Sequence, residues 1–172
     1  MSYIMTEREL ALWDRSRSLA NFHIHAVAMQ IARIKDACER LDDEIALALD
    51  DQFVLRPIAE FQFLCVSLVR LRRAAVLAAT IPSIKREIRA AIAAYDAAIP
   101  RLGTLRNVAE HFDDYVLQRG RDKSLTATEF SASLQVLSFS DTGVNWFDIE
   151  LKFDDCLAVA EALFQAIKKA RG

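Results

Sequence analysis

From Thr6 to Leu41 the chain carries neither glycine nor proline, and apolar residues recur every third or fourth place: Leu12, Leu19, Phe22, Ala26, Val27, Ile31, Ile34, Cys38 and Leu41. That period describes one face of an α-helix, and its persistence predicts either one helix of unusual length or two joined at a kink. Thr6 and Glu9 supply the start signal: the Thr6 hydroxyl can accept from the Glu9 N–H while the Glu9 carboxylate reaches back to the Thr6 N–H. Such a rod offers more apolar stripe than one neighbour covers. Its first half, Trp13 included, has two candidate partners, the rest of its own chain or a second copy. A chain organised by this element is expected to form a helical bundle.

The segment 42–52 has polar edges and an apolar interior, suiting a short helix or turn. A second long helix is expected from Pro57, tolerated in a first turn where its missing N–H would have no partner, to about Ala79. It is apolar nearly all round, which marks it as the centre of the bundle. Ile81-Pro82-Ser83 breaks it, and Ser83 with Glu87 predicts a third helix to about Ala98 that carries Ile84, Ile88, Ile92 and Tyr95 on one face. After Pro100 a fourth helix is expected to run to Gly120 as its C′ residue. It would bury Leu102, Leu105, Val108, Ala109, Phe112 and Val116, leaving Asn107, His111, Asp114, Tyr115 and Gln118 opposite.

Beyond Gly120 the period falls to two. Residues 134–140, the turn Asp141-Thr142-Gly143 and residues 144–151 predict a β-hairpin lying on the bundle, with Phe147, Ile149 and Leu151 on one face and Trp146, Asp148 and Glu150 on the other. Asp154 or Asp155 is expected to cap a last helix ending in Lys168-Lys169. The expected fold is mainly α, an up-and-down bundle of four to five helices over 6–120, a C-terminal β-hairpin at 133–152 and a closing helix at 154–170, within one domain of residues 1–172.

Sixteen Arg and six Lys stand against 24 acidic residues, so a net charge of −2 announces no nucleic-acid binder, and any basic surface must be local. Three dispersed cysteines, Cys38, Cys65 and Cys156, form no C-x-x-C pair and suit buried thiols in a reducing compartment. The first residues lack an apolar signal core, and no apolar run reaches the length of a membrane span, so the expectation is a cytoplasmic protein with no membrane association. Phosphate-binding glycine loops, the G-x-S-x-G nucleophile turn and H-E-x-x-H are all absent from the sequence. His23 and His25 point to opposite sides of a helix and do not make a metal site. No metal and no cofactor are expected.

What remains is Arg106-Asn107-x-x-x-His111 on the fourth helix. This resembles the HEPN superfamily, all-α proteins marked by an Arg, four to six residues, then His, often with Asn after the Arg. A second Arg-to-His spacing, Arg17 to His23, has Ser18 in place of that Asn. The resemblance implies metal-independent endoribonuclease activity with Arg106, Asn107 and His111 as catalytic residues. It also implies a homodimer whose cleft is lined from both chains, RNA as substrate, and a protein partner such as an antitoxin. In such a reaction the ribose 2′-OH attacks the adjacent phosphate, so a group of near-neutral pKa must move a proton and a cation must meet the charge on phosphate oxygen. An imidazole and a guanidinium suit those tasks, and Asn107, one turn before His111, could orient the ring or touch the phosphate.

Two residue-level readings run against this. On an ideal helix residues five apart diverge by about 140°, so Arg106 and His111 need a bend, a long side chain or a second subunit to meet. Arg106 and Glu110 are also spaced for a surface ion pair, with Asp113 and Asp114 adding negative charge, which suits a non-catalytic HEPN-like dimeric or partner-binding module equally well. A further candidate lies between Arg70 and Arg89, where Arg70, Arg72, Arg73, Lys85, Arg86 and Arg89 face Glu87 alone, a local charge of +5 (6 − 1). Arg70, Arg73, Arg86 and Arg89 are the candidate substrate-binding residues there, as phosphate contacts.

Overall fold

The computed structural model describes residues 5–40, 56–111, 114, 115, 117, 119, 120, 138–146 and 149–170. Helix α1 spans Glu7–Glu39 without interruption, settling for one rod over two. Its capping box forms as the sequence predicts: Glu9 N–H donates to Thr6 Oγ1 at 3.3 Å and Thr6 N–H donates to Glu9 Oε2 at 2.8 Å. Helix α2 (Arg56–Ala78) touches every other helix, as its all-round apolar surface requires. Helix α3 (Lys85–Ala98) buries Ile88, Ile92 and Tyr95, and α4 (Leu102–Glu110) lies against α2. Strands β1 (Ser138–Phe139), β2 (Gly143–Trp146) and β3 (Ile149–Lys152) lead into α5 (Phe153–Lys169).

Cross-links fix the directions. Arg33 meets Glu60 at 3.7 Å, so α2 runs antiparallel to α1. Tyr95 Oη donates to the Leu68 carbonyl at 3.0 Å, and Arg72 grips the Asp96 carboxylate through Nε and Nη2, both at 2.6 Å, joining α3 to α2. Burial of the Tyr95 phenol pushes its pKa far up, so it serves as a neutral donor. Trp13 Nε1 donates to the Ile167 carbonyl at 2.9 Å and Lys35 meets Asp154 at 3.1 Å, which sets α5 antiparallel to α1. The result is the expected up-and-down bundle of α1, α2, α3 and α5 with α4 outside it. Trp13 is thus buried by its own chain. The thiols are free; burial pushes Cys156 up to about 12 and Cys65 further, so neither is reactive in the folded state.

Several expectations change. The single strand expected over 144–151 is two, paired antiparallel with Trp146 opposite Ile149 and Val144 opposite Leu151. Cross-strand partners share a face, so Trp146, 5% exposed, joins Ile149 in the core rather than facing outward. The three-stranded meander rests on α2, where Phe61 meets Phe139 and Trp146 edge-to-face, each at 5.9 Å between ring centres. Neither Asp154 nor Asp155 caps α5; both lie in its first turn, where their charge meets the positive helix end. Ser83 does not cap α3, which starts after Ile84 without a side-chain cap. Residues 42–52 and 133–137 lie outside the described residues.

The largest correction concerns the fourth helix. It ends at Glu110, and His111, at φ −128° and ψ 44°, closes it by donating its N–H to the Asn107 carbonyl at 2.9 Å. Tyr115, expected outside, is 2% exposed and part of the core. Gly120 is needed for space rather than for a left-handed turn: a Cβ there would stand 2.5 Å from the Tyr115 ring.

Candidate functional site

Helix α4 begins at an unusual backbone. Arg101 follows Pro100 and adopts φ 59°, ψ 15°, the only non-glycine among the described residues with positive φ, at a cost of about 1–2 kcal/mol. Its carbonyl accepts from the Thr104 and Leu105 N–H groups at 2.8 and 3.0 Å, launching nine helical residues. Leu102, Leu105 and Val108 face α2, so Arg106, Asn107 and Glu110 are turned outward.

Because the helix stops, the ideal-helix angle no longer separates Arg106 from His111. Arg106, Asn107 and His111 line one concavity of about 250 Å³, together with Asp114, Tyr115, Arg119 and Gly120. The His111 carbonyl accepts from the Asp114 and Tyr115 N–H groups at 3.1 and 3.3 Å, which ties those two residues to the helix end. His111 itself is exposed. The ion pair foreseen between Arg106 and Glu110 also forms, and both side chains are partly shielded, at 26% and 31% exposure. Arg106 Nη1 in addition donates to Asn107 Oδ1 at 3.1 Å. The Asn107 carbonyl oxygen therefore steadies the guanidinium rather than the imidazole.

Arg106 and Asn107 are also one wall of a second cavity, of about 550 Å³, between α2, the end of α3 and the start of α4. Arg72 and Arg73 enter it from α2, Asp96 and Ile99 from α3, and Arg101 from the mouth of α4. Hydrogen bonding to Asp96 raises the Arg72 pKa further. Of the four substrate-binding candidates, the structure brings only Arg73 to this site. Arg70, Arg86 and Arg89 are exposed and line neither cavity. Arg70 instead lies near His23, where burial first and the Arg70 charge second lower the imidazole pKa. Of the +5 segment, only Arg72 and Arg73 line this cavity.

Arg101 and Arg119 are not among the candidates drawn from the sequence; the structure places one in each cavity. Their signal was position, Arg101 at a proline-marked helix start and Arg119 beside Gly120. The alternative pair does not form a site. Arg17 meets Asp14 at 2.7 Å and lies 4.9 Å over the Trp13 ring, while His23 is buried. Among the described residues no three His, Cys, Asp or Glu side chains are grouped to hold a metal, and no helix is long and apolar enough to cross a membrane. Comparison with protein-family models, with curated proteins and with solved structures finds no match for this chain.

Proposed function

We propose that this is a HEPN-like, cytoplasmic, metal-independent endoribonuclease that works as a homodimer through Arg106, Asn107 and His111. The supporting observation is that these three side chains line one solvent-open concavity, at a helix end that removes the angular obstacle to their meeting. The exposed imidazole takes the proton of a ribose 2′-OH as that oxygen bonds to phosphorus. The bond from phosphorus to the 5′ oxygen breaks, and the leaving oxygen takes up a proton, giving a 2′,3′-cyclic phosphate and a 5′-hydroxyl. Arg106 meets the charge on the phosphate oxygens, for which it must exchange Glu110 for the substrate. Phe22 on α1 and Phe63 on α2, 67% and 59% exposed, offer apolar surface for a second copy, and a protein partner such as an antitoxin would regulate the site from outside.

The Arg106–Glu110 pair favours a second reading, a dimeric or partner-binding module without catalysis, because Glu110 offsets the guanidinium charge and the Glu110 and Asp114 carboxylates repel a polyanion. One experiment separates them. Purified protein incubated with RNA in excess chelator should leave cyclic-phosphate ends, and His111→Ala should slow cleavage by about 10²-fold or more. Equal cleavage by both proteins, or by neither, removes the catalytic reading.

A further inference from the structure

The larger cavity does not contain the imidazole, yet its charge is more one-sided than that of the concavity that does. Four guanidinium groups, Arg72, Arg73, Arg101 and Arg106, line it with one carboxylate, Asp96, and Glu110 outside it pairs with Arg106, which leaves a local charge of +2 (4 − 2). The carboxylate is committed: Asp96 holds Arg72 through two bonds of 2.6 Å, which fixes the plane of that guanidinium rather than opposing an incoming anion. The volume, about 550 Å³, falls within the range of sites that hold small organic ligands and exceeds what a lone halide needs. Its apolar lining is aliphatic, with no aromatic ring on which a base could stack. The chemistry presented is therefore for phosphate and sugar, not for a base edge.

Arg106 and Asn107 are shared with the concavity that contains His111, so whatever occupies one cavity abuts the other. We infer that the Arg72–Arg73–Arg101 cavity is a phosphate subsite that holds the RNA backbone one step along from the bond cleaved, whatever the base sequence. The identity of the strand as RNA rests on the ribonuclease reading; the phosphate chemistry does not.

The test uses a short 2′-O-methyl oligonucleotide, which keeps the phosphates and lacks the attacking hydroxyl, followed by fluorescence anisotropy across a salt series. The parent should bind, and Arg73→Ala with Arg101→Ala should weaken binding at least tenfold and flatten the slope of log affinity against log salt by about 1.4, or about 0.7 per lost phosphate contact. Arg73→Glu provides a second variant, and thermal melting confirms that each is folded. Unchanged affinity and slope in folded variants would overturn the subsite. Displacement of the oligonucleotide by a nucleoside 5′-monophosphate or inorganic phosphate at equal or lower concentration would assign the cavity to a free ligand and overturn the strand assignment. Arginine-dependent binding by a protein that cleaves nothing would sink the ribonuclease reading, and with it the placement beside a cleaved bond, while upholding the cavity as a phosphate site.

Discussion

Glu110 holds the guanidinium that the proposed chemistry needs, and so governs more than its own surface position. Glu110→Gln removes that competitor at a stability cost of no more than about 0.5 kcal/mol, the usual worth of such a helical pair. RNA affinity should rise severalfold in anisotropy titrations; a fall would mean that the carboxylate orients Arg106 for binding. Gly103 offers an independent check on α4. A Cβ there meets nothing within 4 Å, so Gly103→Ala should stabilise the protein by about 0.5–1 kcal/mol in urea unfolding, through helix propensity alone. The motif residues were legible in the sequence because their types and spacing carry chemistry. The helix end at His111 was not, because Phe112 and Val116 continue the apolar stripe and no glycine or proline announces the stop. A non-glycine residue can close a helix with backbone angles alone, and such a closure leaves little compositional trace.

At the scale of elements, the long helix and the central helix were readable because thirty or so residues of one period average out local ambiguity. The sheet was read as one hairpin for the opposite reason. Alternation runs on through the boundary between two strands, so Trp146, counted onto the outer face, is buried with its partner Ile149, while Ile149 and Leu151 keep the buried face that alternation gives them. Helix starts were misplaced where a polar residue near a terminus was taken as its cap: Ser83 and Asp154 are near α3 and α5 but bond to neither start. The joint between α1 and α5 tests how much one cross-link contributes. Trp13→Phe keeps an aromatic ring but removes the bond to the Ile167 carbonyl, and should cost about 1–3 kcal/mol of unfolding free energy. A loss below about 0.5 kcal/mol would show that the carbonyl finds another donor.

Across the whole molecule, stability should depend on pH through His23, which is buried at the α1–α2 interface. Burial, with Arg70 adding to it, lowers the folded-state pKa below the ordinary 6.5, so folding favours the neutral ring. That contribution is complete above pH 6.5 and is lost as pH falls from there through the folded-state value, where the unfolded chain binds a proton that the folded one resists. Urea midpoints should drop over that window in the parent and stay flatter in His23→Gln; parallel profiles would exclude His23 as the cause. The bundle as a whole was predictable from periodicity, whereas the gathering of Arg73 with Arg101 was not, since residues far apart in sequence meet only once helix directions are known.

The bond from Trp13 to the Ile167 carbonyl also constrains how the polypeptide matures. During synthesis α1 and α2 emerge in succession and can pair at once, but the opening turns of α1 wait for the last helix before their indole is covered. A nascent chain halted before α5 leaves the ribosome should lack the acceptor for that indole, and in a Trp146→Phe background its emission should be that of an exposed tryptophan.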